Sequence, residues 1–128
     1  MDHQATTPLD PRVLEAMLPW LTGEFGNASS RQHAFGWSAG SAVSAAREEI
    51  AAALGAEPDE VVFTSGATEA NNLALLGAVR AARGRGNHVV TSSVEHRAVL
   101  DPCRRLEGEG VEVPRLAPHA TGRVAPEA

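Results

Sequence analysis

Ser65, Gly66, Ala67 and Thr68 end the strand-like run "EVVFTS" and open a helical pattern, "EANNLALLG". A strand that turns into a helix over such residues aims unpaired backbone N–H groups and two hydroxyls at one spot, a natural seat for an anion. Gly66 and Ala67 are small enough for the backbone to approach a phosphate closely, and the Thr68 hydroxyl adds a donor. The same residues also describe an ordinary capped turn, with Ser65 or Gly66 as N-cap and Glu69 on the positive end of the helix dipole. Capped turns far outnumber phosphate sites, so taken alone the four residues favour the ordinary turn.

Two common phosphate loops are excluded. A Walker A loop needs Gly-Lys-Ser/Thr, and all 11 basic residues of this chain are arginine. A dinucleotide fingerprint needs G-x-G-x-x-G between a strand and a helix, whereas Gly84-Arg85-Gly86 precedes the strand-like "NHVV". The other reactive side chains form no constellation. His3, His33, His88, His96 and His119 show no metal-ligand spacing, and a single cysteine could join them. That cysteine, Cys103, falls on an apolar helix face with Val99 and Leu106, where a thiol is ordinarily core.

Composition bounds the answer from the other side. At 128 residues and 43% hydrophobic, the chain is long enough and apolar enough for one domain with a core. A net charge of −5 argues against nucleic acid as a main partner. No apolar run approaches a membrane span, and neither a membrane partner nor a signal peptide is expected. One cysteine excludes an internal disulfide and fits a reducing compartment, so a soluble, cytoplasmic, metal-free α/β chain is the baseline.

The elements that would position these residues follow from pattern. Asp10 is the expected N-cap and Pro11 the first position of a helix carrying Val13, Leu14, Met17, Leu18 and Leu21; Pro19 should kink or shorten its last turn, and Gly23 ends it. After the loop "EFGNASSRQHAFG", the stretch "WSAGSAVSAAREEIAAALG" reads as a helix with Val43, Ile50 and Leu54 on one face and Gly55 as C-cap. "EVVFTS", "NHVVTS" and "VEVPRL" are strand candidates, the last weakened by Pro114. Between the first two lies a helix with Leu73, Leu76 and Val79 inward and Gly84 as its stop. Between the last two lies a helix carrying Val99, Cys103 and Leu106, begun either by a Ser92–Glu95 capping box or at Asp101 with Pro102 in its first turn. Strand–helix alternation predicts a parallel sheet with helices on both sides, and it places Ser65–Thr68 and Ser92–His96 on the same edge. Three strands make a small sheet, and the sequence reads as the front of something longer.

Several blocks, "DHQATTPLDPRV", "FGNASSRQHAFGW", "FTSGATEANNLAL", "GNHVVTSSVEHRAVLDPC" and "LEGEGVEV", occur in an order and spacing that resemble the cysteine desulfurases of the nitrogen-fixation and iron–sulfur-cluster type. These are pyridoxal-phosphate enzymes of the class V aminotransferase family. The resemblance covers nearly the whole chain. It implies the amino-terminal part of a fold type I transferase with a mainly parallel sheet between helices, incomplete as given. Residues 1–30 would be an N-terminal segment of helix and loop associated with the small domain or the interface. Residues 31–128 would be the first part of the large cofactor-binding domain.

The resemblance also assigns roles. The turn at Ala67 and Thr68 would hold the phosphate of pyridoxal 5'-phosphate, and His96 would stack on its ring and assist proton transfer. From its local sequence alone, His96 reads as a helix-start residue packing against a loop. Asn27 would lie near the substrate, although Gly-Asn also serves as a plain turn. Asp2, His3, Thr6 and Thr7 match the family's amino-terminal block, with Met1 where the family has an apolar residue or two, so the start reads as trimmed.

The implied activity takes sulfur from L-cysteine to give L-alanine and an enzyme persulfide for a sulfur acceptor or an iron–sulfur scaffold protein. The family acts as a homodimer. Its cofactor-anchoring lysine, nucleophilic loop cysteine, pyridine-facing carboxylate and substrate-binding arginine all match positions beyond Ala128, so the 128 residues alone are expected to be inactive. The alternatives are another class V enzyme such as a selenocysteine lyase, a catalytically inactive truncated fragment and, last, a stand-alone phosphate-binding module.

Overall fold

The computed structural model describes residues 6–125. The chain divides into two compact units, Met1–Val62 and Phe63–Ala128.

In the first unit, helix α1 spans Pro11–Thr22. Asp10 caps it through its side chain, which accepts from the Arg12 amide at 2.8 Å, and Pro11 takes the first position as expected. Pro19 does not shorten the helix. The turn continues to Thr22, because the carbonyl of Pro19 still accepts from Gly23 at 2.9 Å while only its own missing N–H is lost. The apolar stripe read as a core face is exposed, with Leu14 at 49% and Leu18 at 52%.

Helix α2 spans Ala34–Leu54, starting three residues before Trp37 because His33 Nδ1 accepts from the Gly36 amide at 3.2 Å and caps the helix. It closes on Gly55 in the left-handed conformation, φ 66°, where glycine avoids the Cβ penalty. Its buried residues are Gly36, Ala39 and Ala51, not the expected Val43–Ile50–Leu54 face, which stays exposed. Gly36 and Ala39 are buried because the preceding loop lies directly on the helix. A Cβ on Gly36 would stand 1.8 Å from the Ser30 carbonyl oxygen, and one on Gly26 would stand 2.0 Å from that of Phe35. A single 3-10 turn, Pro58–Glu60, follows, and the Arg47 guanidinium of α2 donates to the Val61 carbonyl.

The second unit holds α3 (Ala67–Ala81), β1 (Thr91–Ser92), α4 (Arg97–Gly108) and β2 (Arg115–Leu116). The "NHVVTS" and "VEVPRL" segments pair in parallel, as the pattern predicts. Donors from Val89, Thr91 and Ser93 reach the carbonyls of Glu112, Pro114 and Leu116 at 2.9, 3.1 and 2.9 Å. One rung is missing. Pro114 offers a carbonyl but no N–H, so the ladder breaks into an isolated bridge, His88 with Glu112, and the short pair β1–β2, all in one register.

The first strand candidate differs: residues 61–64 take no regular structure, and Val62 is exposed at 63%. A continuous apolar run signals a strand covered on both faces, yet the run itself cannot supply the neighbours that cover it. The core is Cys103, Leu106 and Val113, flanked by Leu75, Leu76 and Val79 of α3 and by Val89, Val99 and Val111. Both helices therefore share one core with the ladder. Leu73, read as inward, is exposed, and so is Val90 on the other face of the strand from Val89. Helix α4 begins neither at the Ser92–Glu95 box nor at Asp101; His96, the helix-start residue of the local reading, is its N-cap, and Pro102 lies buried inside it.

Candidate functional site

The turn into α3 is shaped by Gly66. Its φ of 158° and ψ of −178° belong to a region that residues with a Cβ rarely adopt. Thr64 Oγ1 donates to the Gly66 carbonyl at 3.2 Å on one side. On the other side Glu69 Oε2 accepts from both Ser65 N and Ser65 Oγ, at 2.7 and 2.6 Å. These two bonds hold the Glu69 carboxyl below its ordinary range, the hydroxyl contributing most. Gly66 is the N-cap and carries no side-chain bond, so the ordinary-turn reading is met by Glu69 reaching back rather than by Ser65 reaching forward.

Ala67 and Thr68 are the first two residues of α3, and both are exposed. First-turn amides have no carbonyl four residues back within the helix, so Ala67, Thr68 and Glu69 point their N–H groups out of its positive end. The Thr68 carbonyl is held separately, accepting from Asn72 Nδ2 at 2.9 Å, which steadies the first turn. The space beside Gly66 is open, with no atom within 4 Å of where a Cβ would stand. This donor set suits a phosphate: amides, a hydroxyl and a helix end, beside backbone that an anion can approach.

His96 stands at the start of α4 with its Nδ1 accepting from the Ala98 amide at 3.1 Å. That bond leaves the proton of the neutral ring on Nε2, so the exposed edge of the imidazole is a donor. The two helix ends belong to one edge. Arg80 and Arg83, at the end of α3, each approach the carboxylate of Glu109, the C-cap of α4, at 3.4 Å. Helices that share a core and have their C-termini joined have their N-termini at the same end, which puts the first turn of α3 and His96 at that end of the unit.

The remaining sequence candidates lie elsewhere. Asn27 belongs to the first unit, where its Oδ1 accepts from the Ser29 amide at 2.9 Å and its carbonyl from Ser30, a local turn. Asp2 and His3 lie outside the described residues. Cys103 is fully buried beside Leu106, as its helix face indicates, and burial pushes its thiol upward while the Arg115 charge opposes this. Arg115 is engaged with Glu107 in a two-pronged pair at 2.6 and 2.8 Å. The Ser65–Glu69 clamp is absent from the sequence reading, and His96, a helix-start residue in that reading, is the cap itself. The first had a signal, a Ser and a Glu four apart across a Gly-Ala-Thr turn; the second competed with two other plausible starts. Among the described residues no group of His, Cys, Asp and Glu could hold a metal ion, and no helix is long and apolar enough to cross a membrane.

The family model described as aminotransferase class V matches residues 1–128. A protein of Anaeromyxobacter sp. (strain K) named cysteine desulfurase IscS is 56% identical over 126 residues, which is 98% of this chain and 31% of that protein. Among solved structures, a NifS-like protein superposes with a TM-score of 0.86 at 36% identity over 98% of this chain and 34% of its own. A structure described as SspA in complex with cysteine gives 0.82 at 44% identity over 97% and 35%. The chain thus spans about a third of the length of the relatives it matches.

Proposed function

The chain belongs to the class V aminotransferase family, and from that premise we propose that it supplies the phosphate turn and the ring-facing histidine of a pyridoxal-phosphate-dependent cysteine desulfurase. The observation that carries the reading is the shared edge: the open first turn of α3 and the outward-facing His96 lie at one side of one unit, and the relatives are cysteine desulfurases.

The residues fit the cofactor. Ala67 and Thr68 amides, the Thr68 hydroxyl and the positive end of α3 would hold its phosphate. The imidazole of His96 would cover its ring, offering Nε2–H as a proton donor while Nδ1 stays bound to the α4 backbone. When bound, the cofactor supplies an electron sink for carbanion chemistry at the substrate α-carbon. Asn27 would stand near the substrate. The substrate is L-cysteine, in line with the cysteine named in the SspA structure. Products would be L-alanine and a persulfide passed to a sulfur acceptor or an iron–sulfur scaffold.

A homodimer in the cytoplasm is part of the same reading. So is a division into residues 1–30, associated with the small domain or interface, and residues 31–128, the first part of the large domain. Because the 128 residues contain no lysine, this polypeptide by itself would bind the cofactor weakly and without a covalent bond, and would not turn over cysteine.

The test is alanine formation from L-cysteine by the product of the complete reading frame, supplied with pyridoxal phosphate. Alanine released in step with transferable sulfur supports the proposal; no alanine from a folded, cofactor-loaded product sinks it.

A further inference from the structure

We propose that the end of the second unit carrying Arg80, Arg83, Arg85 and Arg105 is a docking surface for an acidic polypeptide segment.

The charge there runs against that of the chain, which has 16 acidic residues to 11 arginines. Arg80 and Arg105 have an ordinary role: each is a cation in the last turn of its helix, α3 or α4, and complements the carbonyl end. Arg83 and Arg85 lie past the end of α3 and exceed that role. Three guanidiniums share the Glu109 carboxylate, Arg80 and Arg83 at 3.4 Å and Arg105 at 3.2 Å. One carboxylate cannot satisfy the donors of three such forks, and the three side chains stay 46%, 72% and 63% exposed. Arg85 donates from Nη2 to the Ala81 carbonyl at 3.2 Å and forms no ion pair among the described residues. The neighbouring acids do not restore the balance. Glu107 is engaged by Arg115, and even with Glu112 counted, four guanidiniums stand against two carboxylates.

These arginines are held in place. Gly84, at φ 85°, turns the chain beyond α3, and the Arg85 amide donates to the Ala82 carbonyl at 2.8 Å. Asn87 Nδ2 then ties the turn to the end of α4, donating to the Gly110 carbonyl at 2.7 Å. The charges are therefore presented as a fixed group, and a partner meets little ordering cost. Planar guanidiniums match carboxylates in two-pronged pairs. A nucleic acid fits less well. No Phe or Trp occurs between Arg80 and Glu112 to stack a base, and a chain of net charge −5 repels an extended polyanion. The surface also stands clear of the candidate site. Helix α3 has 15 residues, so its ends are about 20 Å apart, and a partner seated here leaves the turn at Ala67 and Thr68 open.

The test is fluorescence anisotropy of a dye-labelled hexaglutamate peptide with the product of the complete reading frame at low salt. Arg83→Glu/Arg85→Glu should weaken binding about tenfold or more. Arg12→Glu/Arg31→Glu, the same change in net charge made in the first unit, should stay within about threefold of wild type. Raising the salt about tenfold should remove the difference. Equal weakening by the two double variants overturns the proposal, and so does a wild-type protein that does not bind the peptide. If circular dichroism shows the first double variant unfolded, Arg85→Glu alone decides, since it breaks no ion pair: affinity unchanged from wild type overturns the proposal. An oligothymidylate of equal charge that binds as tightly as the peptide, or more tightly, assigns the surface to a phosphate backbone and overturns the polypeptide partner.

Discussion

Arg80, in the last turn of α3, meets the Glu109 carboxylate at the C-cap of α4 at 3.4 Å, and Arg105 reaches the same carboxylate at 3.2 Å. The Glu109 carboxyl is held below its ordinary range, first by the Arg105 hydrogen bond, and Glu107 is held down likewise by Arg115. Both carboxyls therefore have folded values depressed below the unfolded one. The stability they contribute is complete above the unfolded carboxylate value of about 4.3 and is lost as pH falls through the lower folded values. The midpoint of urea unfolding should thus fall steadily below about pH 4.3. In Glu109→Gln the same titration should be shallower; an identical acid slope in that variant would show that this cluster contributes nothing.

His96→Ala should destabilise α4 by about 1 kcal/mol through loss of the cap on Ala98, and His96→Asn, a strong capping residue, should restore most of it. Urea unfolding followed at 222 nm reads the effect. Equal stability of the alanine and asparagine variants would contradict the cap.

Cys103 should react with a thiol reagent about a hundredfold more slowly in the native chain than in denaturant, because its side chain is fully buried and its thiol is pushed upward by that burial. Prompt labelling under native conditions would show that the core of the second unit opens readily.

Gly36→Ala and Gly40→Ala should act in opposite directions, although both residues lie in α2. The first drives a methyl to within 1.8 Å of the Ser30 carbonyl and should cost about 2 kcal/mol or more, because backbone must move. The second meets nothing closer than 3.6 Å and should stabilise the helix by about 0.5–1 kcal/mol. Thermal melts of the two variants against the parent chain decide the matter.

Local chemistry was the readable part of this sequence. Asp10 with Pro11, Gly55, the helix through Cys103 and the paired "NHVVTS" and "VEVPRL" segments all follow from residue type and spacing, since caps and periodicity act within a turn or two. The rest depends on partners distant in sequence. "EVVFTS" has the composition of a doubly covered strand, and Leu14, Leu18 and Leu54 have the spacing of core faces, but spacing marks a face without saying what lies against it. The start of α4 is ambiguous for another reason: Ser92, His96 and Asp101 are all credible starts within ten residues, and only the bond to Ala98 selects His96. At the turn itself, the sequence placed Ala67 and Thr68 correctly at the helix start but was silent on where Glu69 would send its carboxylate.

The core of the second unit also bears on the order in which the chain folds. Every residue in it lies between Leu75 and Val113, and its ladder closes with Leu116. Contacts so close along the chain need little loop closure, so the unit should assemble quickly. During synthesis it can close once Leu116 clears the ribosome, bringing the helix ends at Thr68 and His96 to their shared edge. The turn at Gly66 would then take its shape during translation, from contacts made within this unit alone.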